Sequence, residues 1–318
     1  MPPGLGHLAY LAVVKESVWG TKVVAGMDFL EFLNETLDET VEEKIVQGIN
    51  KGRVRTKRVQ GAKTIAGDIN WEVNVEDVIG DIIKGILPTE VFVDDGGGNG
   101  GQHTFTPGNV PTIGLTVQVG RDTAVRDFFG GKVGALVLNA ASGELLQATA
   151  SMVFKNADSG SDQAVTYSTQ KPLVYHTGVI QIDGVAFEIS EFALTIAAGL
   201  KQDRRILGSN LIIEPQPGMY EVSGTFQIAF DDEVQINKFL NGTASKLSID
   251  LTGPSIGTTV RRLRLVVPEA FFNGETPKVG GADEETRITI PFMAIKTGSG
   301  TPDELVELKL DNSRQSVY

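Results

Sequence analysis

One pattern occurs twice in this chain and constrains its fold more than any other sequence feature. Residues 66–87 are AGDINWEVNVEDVIGDIIKGIL, and residues 223–243 are SGTFQIAFDDEVQINKFLNGT. Aligning Gly67 with Gly224 gives an offset of 157 residues, about half of the 318-residue chain. Without a gap, the same offset pairs Glu76 with Glu233, Ile79 with Ile236 and Gly85 with Gly242. The sequence therefore predicts a duplicated domain.

Each copy predicts a strand that leads into a short amphipathic helix. Apolar residues first alternate with polar ones and then recur at a spacing of three to four. In the first copy, Asn74 is expected to cap the helix, and Gly85 with Pro88 to end it. The residues expected to form the shared scaffold are Gly67, Trp71, Ile79, Ile82 and Ile83, and then Gly224, Phe226, Ile236, Phe239 and Leu240.

Further strand-like runs follow each predicted helix. They lie at 112–120 and 132–156 in the first half, and at 245–253, 260–272 and 286–295 in the second. The 37 glycines and 13 prolines suit many turns between short strands. The predicted fold is mainly β, with two tandem β-sandwich or partial-barrel domains, each with one flanking α-helix. The expected boundaries are 1–157 for the first domain, 158–172 for a linker rich in polar residues and glycine, and 173–318 for the second domain.

The amino-acid composition limits the classes of function that the chain can have. A net charge of -12 argues against a protein that grips nucleic acid over most of its surface. The absence of cysteine excludes disulfides, Cys-ligated zinc and thiol nucleophiles. No apolar run reaches the roughly 18 residues of a membrane helix, and the first residues do not resemble an export signal. The expectation is a soluble protein without a membrane partner.

Candidate chemical sites are weak. The segment 93–109 combines a glycine tract with Asp94, Asp95 and His103, but it lacks the Gly-Lys-Ser/Thr of a phosphate loop and the spacing of an EF-hand. It is interpreted as a solvent loop. Asp231, Asp232 and Glu233 could be nominated as acid and base, but capping of the second helix explains Asp231 and solvent exposure the others. We predict no catalysis, cofactor or metal.

A change of charge sign is more informative. Acidic residues, among them Glu39, Glu42 and Glu43, precede the basic run Lys51, Arg53, Arg55, Lys57 and Arg58. One interpretation is a solvated hairpin in which opposite charges face each other. A second is an arm by which one subunit contacts the next, and a third is nucleic-acid binding, although the run lacks stacking aromatics. These eight residues are the predicted contact site.

Several segments together resemble a known family. They are ESVWGT (16–21), FLEF (29–32), VQGAKTIAGDI (59–69), HTFTPGNVPTIGLTVQVGRD (103–122), GKVGALVLNAASGELLQATASMVFK (131–155) and the end of the chain, TGSGTPDELVELKLDNSRQSVY (297–318). In their order and spacing they resemble the two-domain tail tube proteins of phages with long non-contractile tails. The resemblance covers nearly the whole chain.

The resemblance implies tube domains that form a ring, with inner strands joined into one continuous barrel. A two-domain chain would form the ring as a trimer with pseudo-sixfold symmetry. Rings would stack with help from a long loop, here about 46–63, and DNA would pass through an acidic lumen without specific binding. The implied partners are further copies of the chain and the tape-measure, tail-tip and tail-terminator proteins. The implied location is the virion tail, assembled in the host cytoplasm.

The second half departs from strict equivalence, because its corresponding segment 200–210 contains only Lys201, Arg204 and Arg205 as cations. Contacts between rings are therefore expected mainly from the first domain. Two alternatives stay open at this point. One is an extracellular module of tandem β-sandwiches, and the other is the tube protein of a contractile tail or secretion system.

Overall fold

The computed structural model describes residues 4–49, 51–108, 112–229, 237–238, 241–257, 259–273, 287–296 and 305–318. The protein is mainly β, which confirms the predicted fold class. Its strands form antiparallel pairs that link them in one network. The α-helix α1 (Ile79–Ile86) lies entirely in this part of the chain, and no helix there is long and apolar enough to span a membrane.

The first-half strands are β1 (Ala9–Glu16), β2 (Asp28–Leu30), β3 (Phe32–Glu35), β4 (Asp38–Ile45), β5 (Arg58–Glu72), β6 (Thr89–Asp94), β7 (Gly101–Thr106), β8 (Gly114–Arg121), β9 (Val125–Ala141), β10 (Gln147–Phe154) and β11 (Asn156–Ser159). The later strands are β12 (Gly178–Ile182), β13 (Val185–Phe187), β14 (Ile189–Ala197), β15 (Glu221–Ala229), β16 (Ser245–Ile256), β17 (Thr259–Phe272), β18 (Arg287–Ala294) and β19 (Glu307–Asn312).

Strand β9 belongs to two groups of strands. Its first part pairs with β8 and β11, and β8 continues to β1 and β2. Its second part pairs with β10 on one side and β14 on the other. The second part lies in a sheet with the order β5, β10, β9, β14, β15, β18, which we call the long sheet. Strand β4 pairs with β5 at the edge of the long sheet.

The order of pairings in the first half recurs in the second. The first half contains the series β2–β1–β8–β9–β11, and the second contains β13–β12–β16–β17–β19. A second order of pairings recurs as well. In the first half β3 and β4 pair with β5, β5 pairs with β10, and β10 pairs with β9. In the second half β14 pairs with β15, β15 pairs with β18, and β18 pairs with β17. The pairing of β9 with β14 joins the two series within one chain.

Gly67 and Gly224 occupy matching places in these series. A Cβ atom at Gly67 would lie 2.4 Å from the carbonyl oxygen of Thr36, and one at Gly224 would lie 2.3 Å from that of Ala193. Thr36 and Ala193 are themselves separated by the repeat offset. Since a side chain would displace the backbone of the neighbouring strand, each position requires glycine.

Helix α1 begins later than predicted. Asn74 does not cap it; its Oδ1 accepts the N–H of Glu76 at 3.0 Å and so stabilises the turn before the helix. The carboxylate of Asp77 instead accepts the N–H of Ile79, the first helical residue, at 2.7 Å. The helix packs against β9, with Gly85 close to Val133.

Asp81 on α1 is buried, and burial raises its pKa from 3.8 to about 6, although Arg314 lies 3.9 Å away and acts in the opposite direction. The folded state therefore binds a proton at the Asp81 carboxyl group more tightly than the unfolded state does. The resulting contribution to the free energy of unfolding is fully present below about pH 4 and is lost as pH rises through about 6. We expect Asp81→Asn to raise the free energy of unfolding above pH 7 by about 3 kcal/mol.

Urea unfolding at pH 4, 6 and 8 would measure this effect. The exposed Asp158, changed to Asn, is the matched control and should reproduce the pH dependence of the unmodified chain. An Asp81→Asn variant that keeps the unmodified pH profile would show that the carboxyl group is not the cause.

The interpretation of 93–109 as a solvent loop is wrong for residues 93–94, which end β6, and for residues 101–106. Residues 101–106 form β7, which pairs with β6 on one side and with β19 near the end of the chain on the other. His103 is fully buried on β7, and its Nδ1 lies 2.8 Å from Oε1 of Glu90. The glycine tract therefore contributes the turn of a hairpin that connects the first half to the final strand.

Candidate functional site

The predicted contact residues lie on the hairpin formed by β4 and β5. The register pairs Glu39 with Ile65, Glu43 with Gln60 and Ile45 with Arg58. Beyond Ile45 the chain leaves the sheet and returns at Arg58, and the N–H of Val46 donates to the carbonyl of Lys57 at 3.1 Å. We call residues 46–57 the arm; its residue 50 lies outside the described residues.

Opposite charges meet at the base of the arm, as the hairpin interpretation predicted. Arg58 forms an ion pair with Glu43 at 2.7 Å, and Lys63 forms one with Glu39 at 2.8 Å. Glu39 also contacts Arg126 of β9, whereas Glu42 lies 3.7 Å from Lys44. Because the Arg58–Glu43 pair is exposed on both sides, it contributes under about 1 kcal/mol. Some of the predicted contact residues therefore form ion pairs within their own subunit.

The arm itself leaves its cations exposed. Lys51, Arg53, Arg55 and Lys57 are exposed, and none of them forms an ion pair with another described residue. Ile49 is 102% exposed and Val54 is 70% exposed, so apolar side chains alternate with the charges. The charge pattern of the sequence indicated the basic run but not the exposed apolar residues within it. A surface that is both apolar and cationic suits binding to an acidic protein surface.

The corresponding segment of the second half, residues 198–220, folds back instead of extending. Arg205 donates to the carbonyl of Lys63 at 3.2 Å, and the N–H of Lys63 donates to the carbonyl of Asn210 at 2.9 Å. Arg204 donates to the carbonyl of Glu214 at 2.8 Å. These contacts use two of its three cations and hold the segment against the base of the arm. Ile206 and Leu207 remain exposed on it.

Of the predicted scaffold residues that the structure describes, five lie in the core, whereas Gly67 and Gly224 are half-buried. Trp71, Ile79, Ile82 and Ile83 are buried around β5 and α1, and Phe226 is buried on β15. The predictions for Ile236, Phe239 and Leu240 fall outside the described residues. Beside them, Asn237 and Lys238 are helical, and the N–H of Asn241 donates to the carbonyl of Asn237 at 3.0 Å.

These observations define a β-rich chain with a recurring strand order, a long sheet and an exposed basic arm. A family model described as phage tail tube protein matches residues 6–294. The chain belongs to the phage tail tube protein family. No curated protein sequence matches the chain. The match covers the strands from β1 to β18 but not β19, and it confirms the resemblance to phage tail tube proteins seen in the sequence.

Membership of this family makes the chain a structural tail tube protein. It implies self-assembly into a tube and a place in the virion tail. It also favours a role without catalysis, since the family is structural.

The residues considered for metal binding have local roles in this tail tube protein. Asp94 accepts the N–H of Gly96 at 2.6 Å, and Asp95 accepts that of Gly97 at 2.8 Å, so both stabilise the turn between β6 and β7. His103 is enclosed by Glu90 and aromatic rings. The described residues contain no cluster of three potential metal ligands.

Proposed function

We propose that three copies of this chain close into a ring with pseudo-sixfold symmetry, and that such rings stack into the hollow tube of a long non-contractile phage tail. DNA passes through the tube during ejection. In this proposal, residues 1–157 and 173–318 are two tube domains joined by the linker 158–172. The recurring order of strand pairs supports the division.

The pairing of β9 with β14 carries the proposal. It joins an edge of the first series to an edge of the second, with Leu138 opposite Leu194 and Leu136 opposite Ile196. In the first series, the strands that correspond to β14 are β3 and β4. On β4, the edge away from β5 pairs with no other described strand. The same kind of pairing between chains would use this edge and extend the long sheet around a ring.

The face of the long sheet opposite the core supports a conduit for DNA. Side chains alternate along each strand, so Ile69 and Trp71 point to the core while Asp68 and Glu72 point away from it. The paired strands place Asp68, Glu72, Glu191 and Glu221 on this opposite face, together with Arg287. A mainly acidic wall would repel DNA phosphates and let the genome pass without binding.

The further partners in this proposal follow from tube assembly. They are a tape-measure protein and the tail-tip and tail-terminator proteins. Assembly would take place in the host cytoplasm before the tail joins the virion.

Native mass spectrometry and negative-stain electron microscopy would test the proposal. We expect trimers and rings with a central hole as the concentration of purified chain rises, and longer tubes when a tail initiator complex is added. A protein that stays monomeric at all concentrations, with the initiator complex present, would overturn the trimeric ring. Hexamers of whole chains would overturn the proposed role of the second domain.

A further inference from the structure

A groove lies beside the junction of β9 and β14. It has a volume of about 740 Å³, and apolar residues of β12, β14 and β16, such as Val179, Phe192 and Leu251, line much of it. The acidic side chains among its lining residues are those of Glu188 and Glu191, and both are exposed. None of those lining residues is a lysine or an arginine. The groove therefore combines apolar walls with negative charge.

The corresponding place in the first half is nearly filled. Phe29, Glu31 and Leu33 line it, and they precede Ala186, Glu188 and Ser190 of the groove by the repeat offset. Its volume is only about 100 Å³, because Ser168, Gln170 and Pro172 of the segment after β11 also lie there. Gln170 is fixed there, since its carbonyl accepts a hydrogen bond from Asn74 at 2.9 Å.

The groove and the arm lie at opposite ends of the long sheet. The registers place Glu72, Gln147 and Asn139 at one end, beside the groove residues Ala141 and Glu191. The arm leaves β5 at the other end, before Arg58. At about 3.3 Å per residue, β5 alone is roughly 45 Å long. The arm of one chain therefore cannot reach its own groove, whereas an arm from a copy stacked head to tail can reach it.

From these observations we infer that the arm of one chain docks into the groove of a chain in the adjacent ring. Ile49 and Val54 supply exposed apolar groups for the groove walls, and Arg53 and Arg55 supply cations for Glu188 and Glu191. Each chain supplies this arm and this groove once, so their numbers match in every ring. The inference rests on the proposed function, because it requires stacked rings.

Engineered disulfides test the contact, and the absence of cysteine from the chain makes the test clean. Ile49→Cys is combined with Val179→Cys, which is an exposed groove position. The matched control combines Ile49→Cys with Leu33→Cys, an exposed position at the corresponding place of the first half. Microscopy first establishes that each variant forms tubes, and the tubes are then oxidised and separated on a non-reducing gel.

We expect the first pair to produce a ladder of linked chains longer than a trimer, since each bond joins neighbouring rings, and the control pair to remain largely unlinked. Tubes that give no ladder with the first pair, or a ladder only with the control, would overturn the docking of the arm in the groove. Ladders that stop at three chains would also overturn it, because they would place the contact within a ring. A chain that forms no rings before any substitution would instead contradict the proposed function.

Discussion

Replacing Gly224 or Gly67 with alanine is expected to lower the free energy of unfolding by about 3 kcal/mol, near the upper end of the usual cost of overpacking. The added Cβ would lie within 2.4 Å of a backbone carbonyl oxygen at either position, whereas real contacts of this kind stay beyond 3.0 Å. At Gly224 the ring of Phe292 is also only 2.7 Å away. The adjoining backbone must shift, which disturbs the pairing of β5 with β3 and β4, or of β15 with β14.

Thermal unfolding would show this as a fall in Tm of about 5 to 10 °C for each variant. Gly48→Ala is the matched control, because its Cβ would meet no atom closer than 3.8 Å and its change in Tm should be small. If both of these variants melted like the control, the close approach of the two backbones would be wrong. Equal losses at Gly67 and Gly224 would support their equivalent roles.

Reversing the charges of Arg53 and Arg55 to glutamate is expected to shorten tubes at least tenfold while leaving rings intact. Both side chains are exposed on the arm, so folding should change by less than about 0.5 kcal/mol. The structure makes Arg58 a poor choice for this test, because it pairs with Glu43 inside the hairpin. Tube length by electron microscopy, with ring mass by native mass spectrometry, separates stacking from ring formation.

The matched control reverses Lys15 and Lys246, two exposed lysines on β1 and β16, and changes the net charge equally. Control tubes should keep their normal length. If the two double variants shortened tubes equally, total charge and not the arm would control stacking. Normal tubes from the arm variant would leave the hairpin interpretation as the whole explanation of the basic run.

Much of the fold could be predicted from local sequence patterns. Alternating apolar residues around Gly67 and Gly224 predicted strands that the structure contains as β5 and β15. The sequence correctly predicted a helix at α1 but placed its start too early. The side chain of Asn74 accepts a hydrogen bond in the turn before the helix, and the side chain of Asp77 accepts the N–H of the first helical residue. Both residues are good caps, and the sequence alone does not decide between them.

Other features depended on contacts between distant residues. The strand β7 was hidden by the glycine tract, although alternation in GQHTFT, with His103 and Phe105 buried, could have indicated it. The pairing of β9 with β14 leaves no local trace, because either strand could satisfy its alternation against many partners. The groove could not be predicted, since its openness depends on where the segment after β11 lies.

Strand β9 has a mechanical consequence for the tail tube. One backbone of 17 residues passes from the group with β8 and β11 into the long sheet. Force that pulls one group past the other along this strand therefore loads covalent bonds, which are far stronger than the hydrogen bonds that hold separate strands together. The tube wall can yield between strands before its two groups separate.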